Sequence, residues 1–160
     1  MIIKCATVLA LAVASPAFAA EEKLLLQDLI PQGVDTTYAA ALSSATCHAL
    51  SNRKGLDLLC GDDLRALIQW SQVATSLDAC KDDACLGAAA RGLDAQLVVS
   101  GTVGKIGDGY VLSLSLLDAK AGRVRGRSEV KAASLEALHA QVAEAVSALF
   151  TGGGASSKKK

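Results

Sequence analysis

The sequence predicts one α/β (α+β) domain: a single mixed sheet of about five strands, in the order βαβααβββα, covered by helices and crosslinked by two disulfides. Three observations carry this. Short apolar runs alternate with helical patterns through the first half of the chain. Strands with tight turns between them, and no intervening helix, fill much of the second half. Four cysteines stand in the body of the chain.

Residues 1–19 are expected to be removed. Met1 to Lys4 is a short basic opening, Cys5 to Ala14 is an unbroken run of apolar and small residues, and Ser15-Pro16 stops a helix before Ala17-Phe18-Ala19. That is the layout of a secretory signal peptide cleaved after Ala19. A buried first helix is the competing reading. The apolar run is too short to span a bilayer, and acidic Glu21-Glu22 follows it where a stop-transfer flank would be basic. Cys5 opens the run, whereas a lipid-attachment cysteine would close it. The expected product is periplasmic or secreted, with no lipid anchor and no transmembrane segment.

Residues 20–150 then form one domain of ordinary size, and residues 151–160 read as a flexible Gly/Ser/Lys tail. The chain has 16 basic and 16 acidic residues. Setting aside Lys4, Lys158, Lys159 and Lys160 leaves 12 basic against 16 acidic. A slightly acidic body with 3% aromatic residues excludes a nucleic-acid partner, which asks for a basic face and stacking rings. Weak contact of the lysine tail with an anionic surface is the one exception considered.

The elements follow in order. Leu24 to Leu29 is a continuous apolar run suited to a buried strand, ended by Pro31-Gln32-Gly33. Asp35 or Thr36 caps a helix to about Asn52, with Tyr38, Leu42, Ala45 and Ala49 at helical spacing. Leu56 to Cys60 is a short strand, and Gly61-Asp62-Asp63 opens a helix carrying Leu64, Leu67 and Ile68. Asp82 or Asp83 caps an alanine-rich helix that Gly92 ends. Ala95 to Lys105 is a strand in which Gly101 and Gly104 permit close packing or a bulge. Gly107-Asp108-Gly109 is a hairpin turn, Leu112, Leu114 and Leu116 alternate along the next strand, and Asp118 to Gly122 turns again. In the following strand Arg123, Arg125 and Arg127 point away from Val124 and Val130. Ser134 caps a last helix with Leu135, Leu138, Val142, Val146 and Leu149 on one stripe.

Cys47, Cys60, Cys80 and Cys85 remain after the leader, and an even number in an exported chain reads as two disulfides with three possible connectivities. Cys80 and Cys85 flank the polar turn Lys81-Asp82-Asp83 and are natural partners. Cys47 is then left for Cys60, joining a helix to the end of the next strand. Closing these loops contributes about 2 and about 3 kcal/mol. Zinc prefers Cys-x2-Cys pairs with matching second ligands, which His48 and His139 do not supply. Thiol redox chemistry expects Cys-x-x-Cys at a helix N-terminus, and Cys80 and Cys85 are spaced wrongly for it.

No catalytic, cofactor or metal constellation emerges. Gly101-Thr102-Val103-Gly104 lacks the Gly-Lys-Ser/Thr ending of a phosphate loop. Ser100 has no Gly-x-Ser-x-Gly setting. Asp62-Asp63 and Asp82-Asp83 open helices, where the dipole favours acidic caps. The row Arg123, Arg125, Arg127 reads as a solvated sheet face or edge protection, with partner contact as the sharper alternative.

Four phrases carry a resemblance. They are Leu56-Asp-Leu-Leu-Cys-Gly-Asp-Asp-Leu64, Cys80-Lys-Asp-Asp-Ala-Cys-Leu86, Ala95-Gln-Leu-Val-Val-Ser-Gly-Thr-Val-Gly104 and Tyr110-Val-Leu-Ser-Leu-Ser-Leu-Leu-Asp118. With them, Lys23 to Phe150 resembles the TolB amino-terminal/CsgG-like domains of bacterial envelope proteins, above all the exported versions of myxobacteria and related delta-proteobacteria. The resemblance implies a non-enzymatic envelope module that binds or assembles with another envelope protein. Relatives in that family include a curli-secretion pore, a peptidoglycan-synthase activator and the partner-binding domain of TolB. This chain has no lipobox and no added amphipathic hairpin, so the pore function does not carry over, and neither does any functional residue. The alternative from a different class is an exported thiol–disulfide redox protein using Cys80 and Cys85.

Overall fold

The computed structural model describes residues 21–61, 63 and 82–151. They form β1 (Glu22–Leu26), β2 (Ile30–Gln32), α1 (Thr36–Ser51), β3 (Leu56–Leu59), α2 (Asp83–Gly92), β4 (Leu97–Ile106), β5 (Gly109–Asp118), β6 (Arg123–Ala132), α3 (Leu135–Ala140) and α4 (Val142–Thr151). The expected signal peptide, Cys80, Lys158, Lys159 and Lys160, and most of the helix expected after Gly61 lie outside the described residues.

The strands make one mixed sheet in the order β3-β1-β4-β5-β6, with β2 also paired to β4. The count is therefore six strands and not about five. β1 and β2 both run parallel to β4, with Leu26 opposite Val99 and Ile30 opposite Thr102. One side advances a residue further than the other, which is a bulge. Its cause is Leu29, 4% exposed, which turns into the core over Gly101. A Cβ on Gly101 would lie 2.9 Å from Leu29 Cδ2 and 2.5 Å from the Ser113 carbonyl oxygen, so only glycine fits there. The Leu29 N–H donates to Ser43 Oγ at 2.9 Å instead of to a strand.

α1 starts where expected, with the Asp35 carboxylate accepting the Thr37 N–H at 2.8 Å. Its buried stripe is Ala39, Leu42, Ser43, Thr46 and Leu50, rotated from the expected one, and Tyr38 is 49% exposed. Two hydroxyls make the rotation possible. Ser43 Oγ donates to the Ala39 carbonyl at 2.8 Å and Thr46 Oγ1 to that of Leu42 at 2.7 Å. Both polar groups are thereby satisfied by the helix itself and can enter the core.

α1, α3 and α4 cover the first face of the sheet, over Leu24, Leu26, Val99, Leu112, Leu114 and Leu116. α2 covers the second face with Leu86 and Ala90, over Leu25, Val98 and Leu117. Right-handed crossovers require this division, because α1 leads leftward from β1 to β3 and α2 leads back to β4. The single C-terminal helix expected from the stripe is two, with Gln141 between them. Leu138, Val142, Val146 and Leu149 still share the buried side. Ser134 caps α3, its Oγ accepting the Ala137 N–H at 3.1 Å.

Candidate functional site

The chain leaves β1 toward the first face and returns to β4 from the second, so the loops after β1 and β3 part company at the same end of the sheet. Such a switch point opens a crevice in α/β sheets. Here it is a cleft of about 460 Å³ lined by Asp28, Leu29, Ser43, Cys47, Cys60 and Asp63, among others. Cys47 and Cys60 form a disulfide in its wall, with their Cα atoms 6.1 Å apart. The bond ties the fourth turn of α1 to the residue that follows β3. Two polar groups of the cleft have structural tasks: Asp63 Oδ2 accepts the Cys60 N–H at 3.3 Å, and Ser43 bridges Leu29 and Ala39.

A second hollow, of about 530 Å³, lies on the second face beside the start of α2. Ser100 opposite Ser115 and Thr102 opposite Ser113 make its floor, and Ile30, 48% exposed, stands at its rim. Asp82 and Asp83 border it from α2. Their role is as expected from the sequence: the Asp82 side chain accepts the Cys85 N–H at 2.8 Å, and Asp83 occupies the first helical turn.

Three helices share one polarity. α1, α2 and α3 begin near the end where the parallel strands finish, and there Asp35, Asp82, Asp83 and Glu136 sit in or beside their first turns. Hydrogen bonds from Thr37 hold the Asp35 carboxyl below its ordinary pKa, and the N–H of Glu136 itself and the Ser134 side chain do so for Glu136. Arg53, Lys54, Lys120 and Arg123 lie at or next to the turns of the opposite end.

Arg123, Arg125 and Arg127 are all exposed, but they do not form a row. Leu117 faces Val124 while Leu116 faces Gly126, so Arg125 is an extra residue in β6. This bulge reverses the alternation. Arg127, opposite Ser115, shares a face with Val124, and Arg123, opposite Asp118, points the other way. Arg125 Nη1 is 3.6 Å from Glu22 Oε1. The signal for the irregularity was Gly126, a glycine inside a strand, which marks a bulge or a close backbone approach.

The structure brings Cys47 and Cys60 together. The second pairing, Cys80 with Cys85, has Cys80 outside the described residues, so one disulfide is described and not two. His48 and His139 are exposed on separate helices. Among the described residues no group of three or more His, Cys, Asp or Glu side chains is placed to hold a metal ion. No described helix is long and apolar enough to cross a membrane.

No protein-family model matches the sequence, and no curated protein matches it. The fold has clear likenesses. The LpoB C-terminal domain from Salmonella enterica superposes with a TM-score of 0.53 at 17% identity, over 75% of this chain and 88% of that one. The PelC dodecamer from Paraburkholderia phytofirmans gives 0.52 at 16% identity, over 86% and 94%. Lipoprotein GNA1162 from Neisseria meningitidis gives 0.52 at 13% identity, over 82% and 99%.

Proposed function

We propose that this chain is an exported, non-enzymatic module of the cell envelope that works by contact with another envelope protein. The observation that carries the reading is the fold, which is shared with a lipoprotein and with a protein that assembles as a dodecamer. Membership of the TolB amino-terminal/CsgG-like family remains the finer form of the same proposal. The Cys47–Cys60 disulfide fits an oxidising compartment. It does not favour the redox alternative, which uses Cys80 and Cys85, because it ties a helix to a strand end. Cleavage after Ala19, a Cys80–Cys85 disulfide and contact of Lys158, Lys159 and Lys160 with an anionic surface belong to this reading. So does a partner surface that includes Arg123, Arg125 and Arg127.

Chemical crosslinking in intact cells, followed by recovery of the chain from envelope extract, tests it. A specific partner protein crosslinked to a chain whose intact mass begins at Ala20 is the expected result. Retention of Met1 in the exported fraction, or release of a small-molecule product by the purified chain, would overturn the proposal.

A further inference from the structure

β6 closes one side of the sheet, and no strand pairs with its outer edge among the described residues. It is ten residues long, and from Gly126 to Ala132 its register with β5 is unbroken. The hairpin before it settles which way each N–H points. The two-residue turn Gly107-Asp108 joins β4 to β5, so Ile106 and Gly109 form the hydrogen-bonded pair that closes it. Bonding alternates along β5, and Tyr110, Leu112, Leu114 and Leu116 therefore turn their backbone groups toward β6. Ala132, Val130, Ser128 and Gly126 answer them. Arg127, Glu129 and Lys131 are left with N–H and C=O groups directed outward. Outside the sheet and helix ladders, no backbone hydrogen bond among the described residues uses those groups.

The three side chains are exposed and share the second face, with Arg127 opposite Ser115 and Glu129 opposite Ser113. Lys131 is 3.0 Å from Glu129, while Arg127 has no ion pair among the described residues. The strand as a whole carries Arg123, Arg125, Arg127 and Lys131 against Glu129 alone. An exposed edge is a template for another strand, and charges or a bulge are ordinary ways of blocking it. The bulge at Arg125 blocks only the start of β6. The regular stretch that follows is open, and its charge is selective. In the fully overlapping antiparallel register a second copy sets Arg127 against Lys131 twice and Glu129 against Glu129, and only a two-residue slip, which shortens the pairing, relieves this.

We propose that the β6 edge from Gly126 to Ala132 takes an extended acidic segment of another protein as an added strand. Carboxylates four residues apart on that segment, about 13 Å along a strand, would stand opposite Arg127 and Lys131. Main-chain bonds to Arg127, Glu129 and Lys131 supply affinity, and the alternating charges supply selection. The inference rests on the reading of this chain as a protein-binding module, and it names the surface and the class of partner.

The test uses the full mature chain and the probe peptide Thr-Glu-Val-Thr-Val-Glu-Thr, with a counterpart carrying Lys in place of both Glu. At about ten times its Kd the acidic peptide should slow amide hydrogen exchange at Arg127, Glu129 and Lys131 about tenfold. The lysine peptide should not. Glu129→Pro removes one outward donor and no β5–β6 bond, so the variant should fold and lose the protection. Arg127→Glu with Lys131→Glu, a second variant that leaves the backbone untouched, should exchange the preference in favour of the lysine peptide. Equal binding of both peptides, protection elsewhere, or undiminished binding by Glu129→Pro overturns the inference. So does protection of these amides in the absence of peptide with concentration-dependent doubling of mass, which would make a second copy the occupant. Crosslinking separates this inference from the broader reading. Equal recovery of one partner by wild type and the double variant sinks the edge and leaves the module standing. Success of the peptide arms with no partner recovered by wild type keeps the edge and sinks the module.

Discussion

Gly126 of β6 and Leu149 of α4 meet backbone to backbone: a Cβ built on Gly126 would overlap the Leu149 carbonyl oxygen. Leu149 is itself in the core, 1% exposed. Gly126→Ala should therefore lower stability by about 1–3 kcal/mol, the usual cost of overpacking a core. Urea unfolding measures it, and an unchanged midpoint would mean that α4 can slide along β6.

The Cys47–Cys60 bond spans 13 residues of sequence. Replacing both cysteines by Ala should cost about 3 kcal/mol through the entropy of the unfolded loop. Peptide mapping of the wild-type chain without reduction checks the other pair. The proposed connectivity requires a Cys80–Cys85 fragment, and a Cys80–Cys47 fragment would refute it.

Replacing Arg123, Arg125 and Arg127 together by Ser should change stability by no more than about 0.5 kcal/mol. Only Arg125 among them has a described ion pair, and its side chain and that of Glu22 are 44% and 50% exposed. Recovery of the partner in crosslinking should fall. Collapse of the melting temperature with recovery unaltered would make the arginines structural.

Acidification should loosen the start of α1. The Asp35 carboxyl is held below its ordinary pKa by hydrogen bonds from Thr37. A depressed folded pKa contributes stability above the unfolded value, and that contribution is lost as pH falls through the folded one. The loss should begin below about pH 4, given the reference carboxylate. Asp35→Asn keeps a capping oxygen that does not titrate, so its unfolding midpoint should fall less steeply over the same range. Parallel curves for the two proteins would refute the assignment.

Much of the second half of the fold was legible in the sequence because its signals are local. Asp82 and Ser134 cap helices, Gly107 and Gly122 have positive φ in tight turns, and Leu112, Leu114 and Leu116 alternate into the core. The missed features depend on partners distant in sequence. Leu29 breaks the first strand because Gly101 leaves room for it, and Ser43 enters the core because Leu29 needs an acceptor. Both facts belong to pairs, and neither residue announces them alone. The arginine row failed for the same reason. Strict alternation assumed a regular strand, and the departure at Arg125 sits beside the glycine that meets α4.

The common direction of α1, α2 and α3 makes their backbone dipoles add instead of cancelling. Aligned dipoles leave a positive end at the helix starts and a negative end at their finishes. Asp35, Asp82, Asp83 and Glu136 sit at one end of the domain, and Arg53, Lys54, Lys120 and Arg123 at or near the turns of the other. Each end thus carries side chains of the sign that offsets its aligned backbone dipoles, so the helices can run side by side without building a large field.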